Sequence, residues 1–421
     1  MFSVSRSALV VAGIAALTGS VSPARGSATA FHLVGALPGS NTFSSGYGVS
    51  DDGSVVVGHS GNNYYYGSSS HAFRWTEQQG IEDLDPLAPA AGAYGISSDG
   101  SVIVGGETSG SVHAVRWGSS TSSLTDQLYH GGECYGLSHD GTMAIGWSAS
   151  GGGGGGGGGS FRPHRAIRYS DSGHVEFIDT PGVDVVAPTN SEALATNSNG
   201  SVVAGWAVIN GVQRAFVWNE TDGMVPITPG AGIANGVSGD GTTVVGDYVA
   251  GTVRHAFRWT SAGGLVDLGT LSGDVRSVAY AISTDGTTIV GMSSATSFGT
   301  GQRAFIWRAD VGMQDLNVVL AASMPAGFVL TEARAVNSTG TVVAGGSTTP
   351  TGGVEAWVAT GVAFALCPAD FNISGSMEVQ DVFDYLNAWF AGAARADFNA
   401  SGGLEVQDIF DFLNAWLAGC P

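Results

Sequence analysis

A pattern of about 48 residues repeated seven times, glycine at 67 of 421 positions beside abundant Val, Trp and Phe, and a duplicated oxygen-rich loop near the C-terminus predict the fold class. The chain reads as all-β over residues 31–366, a seven-bladed β-propeller of four-stranded repeats, followed at 367–421 by a small all-α calcium-binding domain. Glycine costs a helix roughly 1 kcal/mol per residue, so its abundance favours short strands joined by tight turns. With 43% hydrophobic and 12% charged residues, the chain has material for a large core and lacks the composition of a disordered one.

All fifteen basic residues are arginine against 35 acidic ones, a net charge of −20. Without lysine, phosphate-loop nucleotide binding through a lysine and Schiff-base chemistry are excluded. So acidic a chain repels a phosphate backbone, which argues against nucleic acid as a partner.

At the N-terminus, Arg6, the apolar stretch ALVVAGIAAL at 8–17 and the small residues Ala28, Thr29 and Ala30 read as a secretory signal peptide over 1–30. The mature protein is then expected to begin at Phe31 and to be secreted, outside the cell or on its surface. No later stretch has the roughly 20 apolar residues of a membrane span.

Each repeat opens with a strand, a turn and a second strand, as in YGVSDDGSVVVGH from Tyr47 and ANGVSGDGTTVVGD from Ala234. The turn glycines are Gly53, Gly100, Gly141, Gly200, Gly241, Gly286 and Gly340. An Asp-Gly or Asn-Gly pair between two apolar runs is expected to form a hairpin of type I′. Gly236, Val237, Ser238, Gly239 and Asp240 miss a nucleophile elbow by one position, and residues present in every copy are scaffold, since a catalytic centre is needed once. The third strand follows as HAFRW, HAVRW, RAIRY, RAFVW, HAFRW, RAFIW and EAWV, polar and apolar alternating with one face buried. A short fourth strand, such as Leu265-Val266-Asp267-Leu268, completes the copy.

The ordered recurrence of D-G turn, V-V-G strand and H-A-F-R-W strand over about 320 residues resembles the extracellular repeat family named for its His-Ala-Phe motif. The resemblance implies a secreted, propeller-like array with no established activity. Copy three departs from it with nine consecutive glycines at 151–159, read as a flexible loop. Copy seven ends without a fourth strand, while Phe31 to Leu37 (FHLVGAL) resembles the fourth-strand segment from Leu265 (LVDLGTL). The N-terminal strand is therefore expected to complete the last blade and close the ring.

Three sets of reactive side chains were weighed. Cys134 near His139 lacks a third, orienting group for nucleophilic catalysis. His71, His113 and His255 occupy equivalent positions on separate blades, too dispersed for a zinc site. Glu133, Glu176, Glu192 and Glu332 are read as single-copy carboxylates, but no spacing singles out the facing pair that glycoside hydrolysis needs.

The tail holds two near-identical segments, DFNISGSMEVQD from Asp370 and DFNASGGLEVQD from Asp397. Each is a twelve-position loop with oxygen donors Asp370, Asn372, Ser374, Glu378 and Asp381, or Asp397, Asn399, Ser401, Glu405 and Asp408. Ser376 and Gly403 stand at position 7 among the candidate ligands, and Gly375 and Gly402 at the sharp turn. Hard oxygen ligands at that spacing, running into a helix, suit Ca²⁺, so two ions are expected. Serine at position 5 and Asp at position 12 offer less charge than a cytosolic sensor, and the affinity is expected to be that of an extracellular module. After the loops, Val382, Phe383, Leu386, Trp389 and Phe390, and Ile409, Phe410, Leu413, Trp416 and Leu417, are each expected to form one apolar helix face.

A duplicated loop with Asp at position 12, opened by Cys-Pro and closed by Gly-Cys-Pro, resembles dockerin, in the variant called the GC-type dockerin anchor. The resemblance implies a module that docks an exported protein onto a cohesin-like or cell-surface anchoring protein through Val379, Gln380, Val406 and Gln407. It also implies that the chain ends meet, so that Cys367 and Cys420 pair. The preferred reading is a non-catalytic surface or binding module held by this tail; the alternative is a polysaccharide-degrading enzyme delivered by it.

Overall fold

The computed structural model describes residues 29–39, 43–61, 70–88, 90–108, 112–118, 122–123, 131–149, 163–171, 174–178, 190–297, 300–363, 369, 371, 379–393, 396–399, 401 and 403–418. Segment 1–28 and the glycines at 151–159 lie outside them. The described strands form seven four-stranded antiparallel sheets, a seven-bladed β-propeller. In the first blade β2 (Ser44–Val49), β3 (Val56–Ser60), β4 (His71–Thr76) and β5 (Gly80–Asp83) follow in order from the inside outwards. The last blade is shared between the chain ends: β1 (Ala30–Gly35) pairs with Val354–Thr360, outside Val342–Thr348 and Val329–Val336. The N-terminal strand therefore closes the ring as its resemblance to a fourth strand predicts.

Core lies between blades. Val290, Ala304 and Ile306 of the sixth pack with Leu330, Val343 and Trp357 of the seventh, all within 1% of full burial. The same alternation that buries one face of the H-A-F-R-W strand aims its polar residue sideways: His71 Nδ1 lies 3.0 Å from Asp83 and His255 Nδ1 2.9 Å from Asp267 on the neighbouring fourth strand. Arg303 makes the same contact with Asp315, so the recurring histidine is a strand-pairing device.

The turn after each inner strand is built differently from the type I′ expected. Gly53 N–H donates to Ser50 O at 3.0 Å, and Gly53 alone takes a positive φ, +75°. Type I′ requires two such residues, so this is a type I turn followed by a left-handed glycine. What selects it is a side-chain clamp: Ser50 Oγ donates to Asp52 (2.8 Å), whose carboxylate accepts Ser54 N–H (2.9 Å), while Ser50 Oγ accepts Val55 N–H (3.0 Å). Ser97 with Asp99, Ser138 with Asp140, Ser238 with Asp240 and Ser283 with Asp285 repeat it. The bonds from Ser97 and Ser101 hold the Asp99 carboxyl down to about 2. A two-residue Asn-Gly hairpin does occur between Ile209 and Val212, where Asn210 and Gly211 both have positive φ (53° and 76°).

The glycine of each V-V-G strand is explained by a carbonyl. A Cβ at Gly58, Gly105, Gly146, Gly205, Gly246, Gly291 or Gly345 would lie 1.8–2.0 Å from the backbone oxygen of the inner-strand residue just before its paired partner. Backbone cannot yield as a side-chain tip can. Gly246→Ala, set against the carbonyl of Ile233, is expected to destabilise the propeller by about 3 kcal/mol. Denaturant unfolding checks this; a loss under about 0.5 kcal/mol, the scale of a neutral surface change, would contradict that contact.

After the one-turn α1 (Leu316–Val319) of the propeller, the tail carries α2 (Val379–Phe390) and α3 (Val406–Ala418) around a core of its own. Tyr385 and Phe412 stack at 4.0 Å, Phe371 meets both edge-on, and Tyr385 Oη donates to Ala396 O at 3.0 Å. The single apolar face expected on each helix is corrected here. Val382, Leu386 and Trp389 do pack inward with Tyr385 and Ala388. Phe383 and Phe390 are 57% and 76% exposed, and their counterparts Phe410 and Leu417 57% and 75%. The apolar arc is wider than one neighbouring helix can cover, so its edge is left outside.

Candidate functional site

Each inner strand contains a β-bulge at the same place in all seven blades, and the seventh has a second one at Thr331. Pairing skips Tyr47, Tyr94, Tyr135, Leu194, Asn235, Tyr280 and Arg334, each six residues before its turn glycine. A bulged residue is released from the ladder and its side chain re-aimed. All seven line one cavity of about 400 Å³, together with His59, Ser70 and Ala91. One contribution per blade places this cavity on the ring axis.

Five of the seven side chains are joined along an arc. Arg334 lies over the rings of Tyr280 (4.4 Å) and Tyr47 (4.8 Å). Tyr47 meets Tyr94 edge-on at 5.3 Å, and Tyr94 meets Tyr135 at 5.7 Å. Arg334 is also held by a two-pronged contact to Glu332, at 2.6 and 2.8 Å, with Ser45 Oγ donating to the same carboxylate at 3.2 Å. His59 sits between Phe43 and Tyr47, each ring 5.3 Å away. Burial, reinforced by the charge of Arg334, lowers the His59 pKa to about 4, so the imidazole is neutral.

Beside the cavity runs a chain of polar side chains. Trp147 Nε1 donates to Tyr135 Oη (3.1 Å), which donates to Glu133 Oε2 (3.0 Å). His164 stacks on Trp147 at 3.6 Å and lies 2.6 Å from Glu192, which also accepts Trp206 Nε1 at 3.2 Å. Burial pushes the Glu133 carboxyl up to about 7 against the opposing bond from Tyr135, and the charge of Glu192 adds to the rise. Glu133, Glu192 and Glu332 are not single-copy residues: all three stand eight residues before a turn glycine, in blades three, four and seven. Glu176 instead pairs with Arg168 at 2.6 Å on the outer strands. Cys134 is fully buried, which pushes its thiol far above the ordinary range, and His139 lies on the turn side, 2.9 Å from Asp51.

Below the bulge ring, four residues before each turn glycine, Val49, Ile96, Leu137, Thr196, Val237, Ile282 and Val336 narrow the axis toward the turns. The turns are tied blade to blade: Asp51 N–H donates to Ser98 O, Ser98 N–H to His139 O and Gly239 N–H to Thr284 O. The seven side chains from Val49 to Val336, six aliphatic and one threonine, line a second and smaller cavity of about 160 Å³ on the turn side.

No family model matches this chain, and no curated protein matches it either. Among solved structures it is similar to a putative TolB from Agrobacterium tumefaciens (15% identity, 63% of this chain and 87% of that one, TM-score 0.41). It is also similar to oligogalacturonate lyase from Vibrio parahaemolyticus (10%, 79% and 96%, 0.45) and an acylaminoacyl peptidase from Pyrococcus horikoshii (10%, 75% and 51%, 0.46). The seven-bladed ring itself stands on the strand pairing.

In the tail, Cys367, Asp370, Asn372, Ser374, Ser376, Glu378 and Cys420 lie outside the described residues. Of the second loop, Asp397 accepts Ser401 N–H at 2.9 Å, and the fully buried Asp408 accepts Asn399 N–H (3.3 Å) and Glu405 N–H (2.7 Å). Asp381, its counterpart in the first loop, is equally buried. Among the described residues no group of three or more His, Cys, Asp or Glu converges as a metal cage. Val379 and Val406 are 60% and 59% exposed, while Gln380 and Gln407 donate to Asp384 (3.0 Å) and Asp411 (2.9 Å) one turn on.

The bulge ring is the feature that motif reading missed. A signal for it exists: the position six before the turn glycine carries a larger side chain, Tyr in four copies and Leu, Asn or Arg in the others, whereas both its neighbours are Gly, Ala or Cys in every copy.

Proposed function

We propose that this chain is an exported, non-catalytic binding protein whose propeller holds a small ligand in the axial cavity and whose tail docks it, with Ca²⁺, onto a cohesin-like or cell-surface anchoring protein. The observation that carries the reading is the ring of seven bulge residues around one cavity, of four different kinds although their immediate neighbours are uniformly small. Variation at one re-aimed position per blade is what a binding site needs and a scaffold does not.

The tail is consistent with the docking half. Its second loop brings Asp397, Asn399, Ser401 and Asp408 together as an oxygen-only donor set, which fits a hard cation. Ca²⁺ there would tie the loop to the start of α3. Val379 with Phe383 and Val406 with Phe410 give the two helices the same exposed apolar edge for a partner. Pairing of Cys367 with Cys420 belongs to the same proposal.

A second reading, polysaccharide cleavage, is favoured by one observation, the carboxyl of Glu133 raised toward neutrality next to the cavity. One experiment separates the two. A partial hydrolysate of mixed polysaccharides is incubated with the protein, and both the retained saccharides and new chain ends are analysed. Retention by the wild type, its loss in Leu194→Trp, and no new ends are expected. New chain ends that vanish in Glu133→Gln would replace binding by catalysis, and equal retention by Leu194→Trp would remove the cavity from the function.

A further inference from the structure

The chemistry of the axial cavity narrows what it can hold. Four tyrosines give it aromatic walls, and Asn235, Ser70 and the phenols supply hydrogen-bonding groups among them. The charged residue in its lining, Arg334, is already matched by the two-pronged contact with Glu332 and sandwiched between Tyr47 and Tyr280. A charged ligand would have to shed its water there without finding an unmatched counter-charge, which is costly. An uncharged molecule with apolar ring faces and hydroxyl edges suffers no such penalty. The volume of about 400 Å³ lies in the lower part of the range for small-molecule sites, roughly 300–1,000 Å³. Toward the turns lies the smaller cavity ringed by residues from Val49 to Val336, and the boundary at the other end includes Ser70 and Ala91, at the blade end away from the turns.

Resting on the binding reading above, we infer that the cavity takes the terminal unit of an uncharged saccharide, entering from the face away from the Asp-Gly turns and stopping short of the ring from Val49 to Val336. Sugar C–H faces lie against the tyrosines, and ring hydroxyls reach Asn235 and Ser70. His59, being neutral, adds no charge to the site.

The test is calorimetric titration of the full-length protein at pH 6 with neutral trisaccharides of glucose, galactose, mannose and xylose, with trigalacturonate, and with the glucosamine trisaccharide. At least one neutral trisaccharide is expected to bind, and both charged ones to bind about tenfold more weakly or not at all. Tyr94→Ala is expected to weaken the neutral ligand about tenfold and Leu194→Trp to abolish it, with the melting temperature as the control for folding. Tighter binding of trigalacturonate or of the amino sugar would overturn the uncharged class while leaving a binding cavity. Neutral binding that survives both folded variants would overturn the location. Binding of no neutral trisaccharide at millimolar concentration would overturn the inference, and the hydrolysate experiment then decides separately whether the cavity binds any saccharide.

Discussion

Replacing Asp370 and Asp397 together by alanine is expected to abolish Ca²⁺ binding and to melt residues 367–421, with the propeller transition unchanged. In the second loop the Asp397 carboxylate accepts Ser401 N–H, and Asp408 is fully buried while accepting two further amides. The tail core is small, built on Tyr385, Phe412 and Phe371, and domains of this size commonly need a metal or a disulfide to stand. At a hundredfold excess over Kd each ion contributes about 2.7 kcal/mol to folding, so losing two removes most of what holds so small a unit. Calorimetry is expected to show two calcium sites in the wild type and none in the variant, with the lower of two thermal transitions missing. An unchanged stoichiometry would remove calcium from the tail. Docking is expected to fall with it: Val379→Glu or Val406→Glu alone should weaken capture of the partner, and the two together abolish it.

Deleting residues 31–37 is expected to be as damaging to the propeller as calcium loss is to the tail. β1 supplies the outer strand of the last blade, Phe31 stacks on Trp357 at 5.9 Å, and Val34 and Leu37 are 4% and 7% exposed in the core between the last blade and the first. Losing the burial of those two side chains alone costs about 3–6 kcal/mol. The deletion also leaves Val354–Thr360 with an unpaired edge, a template for association between chains. Light scattering is expected to show aggregation and thermal unfolding a lower midpoint. A truncated protein that stays monomeric and melts like the wild type would mean that the ring does not depend on this strand.

Local chemistry made most of the propeller legible. Alternation in H-A-F-R-W, the Ser-x-Asp-Gly turns and the likeness of FHLVGAL to a fourth strand are short-range signals, and they led to four strands per blade and to ring closure by the N-terminus. The error at the turns is also local in origin: two side chains, Ser50 and Asp52, clamp a type I turn that the Asp-Gly pair alone does not distinguish from type I′.

The cavity needed the ring. Tyr47, Leu194 and Arg334 are unlike one another, and nothing local says that they share a bulge, because the bulge follows from fitting a carbonyl of one strand against a glycine of the next. Glu133, Glu192 and Glu332 show equivalence only when each is counted from its turn glycine; Tyr135 and Arg334 stand two residues along the same strand from Glu133 and Glu332, whereas His164 reaches Glu192 from the neighbouring blade. In the tail, sequence periodicity identified two apolar helices, but which edge is buried depended on the neighbour available. Short-range periodicity and turn chemistry are written along the chain; convergence on an axis is a property of seven blades closing, and a single repeat cannot encode it.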